Sequence, residues 1–148
     1  MSILKIIEKP FNVRQPESIR KGFIDSLQAF TANEDPVDKE NCLAMMVSYH
    51  AEFFSVYMVR VATTFLEQED LKSTAQLMNS AIFEAANDIG IPFFYKDTGK
   101  SLTDEVVEAT LENEGMIPVN RVKNIFNKIK DSHKEQTSDT TEENHEVQ

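Results

Sequence analysis

From Pro36 to Gln68 the chain carries no glycine and, after Pro36, no proline, and apolar residues fall on nearly every side of a helix drawn through it. On a wheel of about 100° per residue, with His50 at zero, Leu43, Val47, Phe54, Val61 and Phe65 gather on one side. Met46 and Tyr57 lie on the other side. Asn41, Ser48, Glu52, Ser55 and Thr63 form a narrow polar stripe opposite, between about 140° and 220°. Such a segment demands neighbours on several sides, so it reads as the central helix of a bundle, spanning residues ~36–68 and about 50 Å. A second copy of the chain could cover part of the face, which makes a two-fold homodimer the expected assembly.

The flanking sequence supplies the other helices. Pro16 opens a first helix, with Ile19, Phe23, Leu27 and Phe30 at spacings of three and four. Asp35 before Pro36 is a start signal for the second. A third fits residues 71–89 and stops at Gly90 and Pro92. Ser101 or Thr103 caps a fourth, which ends at Gly115; Pro118 opens a fifth, whose Val119, Val122, Ile125, Phe126 and Ile129 share a face. The expected fold is all-α: one domain over residues 1–130, about five helices, with an extended arm at 1–15. Residues 131–148 are nearly devoid of aliphatic side chains and read as a disordered acidic tail.

Charge narrows the function. The chain of 148 residues carries −10 overall, distributed as −9 over residues 1–115, +4 over 116–130 and −5 over 131–148. A negative body disfavours nucleic acid and anionic membrane surfaces. No apolar segment reaches the ~20 residues needed to span a bilayer, and the start of the chain lacks a secretory pattern. The single cysteine, Cys42, has no partner for an internal disulfide, which suits a reducing cytoplasm.

Catalytic motifs fail one by one. His50 is the only histidine before residue 133, and neither Cys42 nor Glu52 shares its face. It therefore reads as a core histidine, hydrogen-bonded to Tyr57 or a carbonyl, with no metal cluster beside it. "DTG" at 97–99 resembles the active-site triplet of aspartic proteases, but Lys96 and Lys100 flank it where that family has apolar and small residues. Asp97 and Gly99 are better explained as turn formers. "GKS" at 99–101 lacks the upstream glycine of a phosphate loop, that position being Phe94.

The expected function is therefore binding: a small acidic accessory protein (subunit, inhibitor, immunity factor or chaperone-like) with no catalysis or cofactor of its own. Its partner-binding candidates are Phe93, Phe94, Tyr95, Tyr49, Phe53, Tyr57 and Arg60, aromatic and arginine side chains of the kind that anchor interfaces. Of the three consecutive aromatics, Tyr95 is the one expected to see water. An alternative is a DNA-binding regulator that reads with the fifth helix through Asn120, Arg121, Lys123, Asn124, Asn127 and Lys128. Acidic helix four beside it argues against that use. A third reading is a small apolar ligand held between helices by the Met and Phe residues of helix two.

Overall fold

The computed structural model describes residues 16–55 and 65–147, with side chains from 17 to 55 and from 70 to 134. Five helices follow one another: α1 (Pro16–Ala32), α2 (Pro36–Phe53), α3 (Phe65–Asp88), α4 (Leu102–Asn113) and α5 (Val119–Val147). No strand occurs among the described residues; a single antiparallel bridge pairs Phe94 with Ser101. The all-α bundle expected from the periodicity is the observed fold.

Local signals act as their chemistry requires. The Asp35 carboxylate accepts the Val37 N–H at 2.8 Å and that of Asp38 at 3.4 Å, capping α2. Ser101 caps α4 by accepting the Asp104 N–H at 3.1 Å. Gly90 adopts a φ of 75° behind α3, where a side chain would be strained. At the end of α4 the left-handed residue is Glu114, one position before the glycine expected there. Pro118 lends its carbonyl to the N–H groups of Arg121 and Val122 as α5 begins.

Helix α2 lies at the centre and packs against all four other helices, most extensively against α1. Its extent corrects the expectation of one helix over ~36–68. The α-helix ends at Phe53, widens into a π-type turn at Phe54 and Ser55, and by Phe65 the chain is in α3. Helix α3 runs antiparallel to α2: Lys39 Nζ lies 3.9 Å from Asp88 Oδ2, and His50 shares a cleft with Ala75. The polar stripe is a second correction. Ser48, Glu52 and Ser55 are buried, because α2 is enclosed on every side and has no solvent face in its second half. Of the apolar face that suggested a second subunit, Leu43, Met46 and Val47 are buried within the chain itself and Phe54 is half-buried, while Tyr57, Val61 and the side chain of Phe65 lie outside the described residues.

The expected arm at 1–15 lies outside the described residues. The backbone of the expected loose tail is described to Val147 as the continuation of α5, and its side chains to Lys134. Up to that point α5 is docked: Ser132 Oγ accepts the Lys96 N–H at 3.1 Å, and His133 Nε2 donates to the Phe94 carbonyl at 2.9 Å.

Helices α1 and α2 approach closely at Gly22. A Cβ on Gly22 would lie 2.4 Å from Tyr49 Cζ, so the phenol ring rests directly on the glycine. Gly22→Ala gains about 1 kcal/mol of helix propensity. Displacing the ring costs about 1–3 kcal/mol. The expected net result is a loss of about 1 kcal/mol in denaturant melts; a stabilised variant would show that Tyr49 swings aside freely.

Candidate functional site

A cleft of about 570 Å³ opens between α2, α3, α4 and the connection that joins α3 to α4. That volume lies within the range of small-molecule sites. His50 and Phe54, one helical turn apart on α2, form its inner wall, and Ala75 and Val107 contribute apolar surface from α3 and α4. Phe93 and Phe94 close one side. A hydrogen bond of 2.6 Å from Thr103 Oγ1 to Asn79 Oδ1 ties the start of α4 to α3 within the same lining.

The connection is a small hairpin, and its geometry decides where the aromatics go. Tyr95 N–H donates to Lys100 O at 2.9 Å and Leu102 N–H to Phe93 O at 2.7 Å. Gly99 at φ 74° and the Asp97 carboxylate, which accepts the Thr98 N–H, form the tip. "DTG" is thus a turn. Alternation along the extended backbone sends Phe93 inward and Phe94 outward. Phe94 is 49 % exposed, while Tyr95 is half-buried, so the exposed aromatic is not the one expected. Phe93 lies edge-on to both Phe83 (5.2 Å) and Phe94 (5.0 Å). Such pairs are each worth about 0.5–1.5 kcal/mol and hold the ladder in place.

His50 is buried to 4 % exposure, its ring centroid 6.0 Å from that of Phe54. Burial pushes its pKa down to about 4, with Asp104 pulling weakly the other way, so the imidazole is neutral at pH 7. Its Nδ1 is sealed from solvent and has no hydrogen-bond partner. The expected bond is therefore not made at this nitrogen, and Tyr57 lies outside the described residues. Leaving such an atom unpaired costs about 1–3 kcal/mol. Burial, with Asp38, also pushes the Cys42 thiol above its ordinary value, which keeps it protonated. Among the described residues no group of three or more His, Cys, Asp or Glu side chains is placed to hold a metal.

The other candidates scatter. Phe53 is wholly buried beneath the Arg20 guanidinium, which stands 5.6 Å from its ring centre. Tyr49 is half-buried against α1, and Arg60 lies outside the described residues. On α5, Lys123 is held by Asn41 at 2.9 Å. Arg121, Asn124 and Lys128 share a shallow groove with Glu105, Glu108 and Glu112 of α4. Asn120 and Asn127 are exposed. The basic face that a DNA reader would need is thus neutralised by its neighbour helix. Of this lining the sequence candidates include Phe93 and Phe94; the sequence presents His50 as a core residue and Phe54 only as part of an apolar helix face, and the convergence with Ala75, Asn79, Thr103 and Val107 depends on helix packing alone.

Comparison with family models, curated proteins and solved structures finds no match to this chain. No described helix is long and apolar enough to cross a membrane.

Proposed function

We propose that this is a small acidic helical accessory protein that acts by binding another protein in the cytoplasm and has no catalytic activity of its own. The observation that carries the reading is the exposed aromatic edge formed by Phe94 and Phe83, which are 49 % and 40 % exposed and both stacked on buried Phe93. A rigid, half-exposed aromatic pair seated on the core is the kind of feature that anchors an interface. The state of His50 supports the absence of acid–base chemistry, because a neutral imidazole with a pKa of about 4 is a poor base at pH 7. A homodimer built on this same edge is the second form of the proposal.

Affinity purification of the tagged full chain from its own cells tests the proposal. A protein recovered in stoichiometric amount with the wild type, and lost with Phe94→Asp, is the expected result. Recovery of the chain alone, monomeric by light scattering, would overturn it. A self-associating chain that Phe94→Asp renders monomeric would replace the foreign partner with a second copy.

A further inference from the structure

The cleft holds more than a partner-binding edge requires. Its inner wall pairs two aromatic side chains of α2, His50 and Phe54, in a recess of mixed lining to which Ala75, Phe93, Phe94 and Val107 bring apolar surface. The imidazole is more than nine-tenths buried, and its Nδ1 meets no hydrogen-bonding group. Buried polar atoms are almost always paired, so an unpaired one on a cavity wall marks a place where a partner atom is missing. Phe94 covers the opposite side, and Asn79 and Thr103 set a bonded polar pair into the lining. Lys72 and Asp104 bring opposite charges to the same cleft, so it favours neither an anion nor a cation.

We propose that this cleft is a binding site for a small uncharged aromatic molecule bearing one hydrogen-bonding group, with His50 as its inner polar contact. Phe54 and Phe94 both line the cleft and offer aromatic surface to a flat ring, and a neutral imidazole offers one donor and one acceptor, so it discriminates by hydrogen bonding and not by charge. The proton of a neutral imidazole sits on either nitrogen, so the ring can donate to or accept from a ligand and can meet either a hydroxyl or an N–H. The site shares Phe94 with the edge proposed above, but its inner contacts, His50 and Phe54, take no part in that edge, and Ser80→Trp alters the recess without touching Phe94.

The test uses the full chain and N-phenyl-1-naphthylamine, an uncharged arylamine with a single N–H whose fluorescence rises in apolar surroundings. Saturable binding at one probe per chain is expected. Ser80→Trp, which fills the cleft from an exposed position on α3, and Phe94→Ala, which removes its outer wall, are each expected to weaken binding about tenfold or more. His50→Phe keeps the ring and loses the nitrogens, and a several-fold loss is expected. No saturable binding by the folded wild type overturns the proposal, as does binding that Ser80→Trp and Phe94→Ala leave unchanged. Equal affinity in His50→Phe removes the imidazole's role and with it the ligand class. Both other variants alter exposed residues, so they decide the matter even where His50→Phe does not fold.

Discussion

Between pH 6.5 and pH 4 the protein is expected to lose about 3 kcal/mol of folding stability through His50 alone. In the unfolded chain this imidazole titrates near its ordinary value of 6.5; in the fold, burial lowers it to about 4, against a weaker opposing pull from Asp104. Within that window the unfolded state binds a proton that the folded state refuses. Stability therefore falls as pH falls, and the contribution is complete only above 6.5. Against a total of about 5–15 kcal/mol for a domain of this kind, the effect is large. Urea melts of wild type and His50→Phe from pH 7.5 to pH 4 isolate it, because the carboxylates titrate alike in both. The wild-type curve is expected to fall more steeply than that of the variant. Parallel curves would mean that His50 takes up its proton in the folded state as readily as in water, and is not sealed.

That histidine was conspicuous in the sequence, but its surroundings were not, and the reason is physical. A helical wheel assigns angles, not neighbours. It placed His50 and Phe54 on one face correctly, because their spacing is local. It could not know that Ser48, Glu52 and Ser55 would be buried, since that depends on how helices assemble. Start and stop signals were legible wherever a residue type does one job, as at Asp35, Gly90, Ser101 and Pro118. Between Phe54 and Phe65 no glycine or proline marks a boundary, so a single helix to residue 68 was the natural reading and an incorrect one. The aromatic triplet failed for a different reason. Chemistry favours Tyr95 as the wet residue, but the bridge between Phe94 and Ser101 imposes a period of two, and Phe94 occupies the outward position. Asn79 and Thr103, 24 positions apart, leave no local signal of the bond that joins them.

Phe53→Ala is expected to cost about 3–5 kcal/mol, towards the upper end of that range. Phe53 is among the largest wholly buried side chains in the molecule, at the last position of α2 where that helix meets the others. Truncation removes the transfer energy of a whole ring and leaves a cavity that flanking helices fill only in part. It also strips the Arg20 guanidinium, whose Nε is buried without a hydrogen-bond partner, of the aromatic face beneath it. Such a contact adds about 0.5–2 kcal/mol. Denaturant unfolding at neutral pH should show a lowered midpoint with an unchanged slope, the signature of lost stability in an otherwise intact fold. The informative control is Phe94→Ala, a half-exposed ring whose removal is expected to cost within about 1 kcal/mol. A loss below about 1 kcal/mol at Phe53 would place that ring outside the core and return it to the surface role its sequence suggested. With the expected contrast, Phe53 holds the helices together, and the half-exposed ring of Phe94, resting edge-on against Phe93, remains free to meet something else.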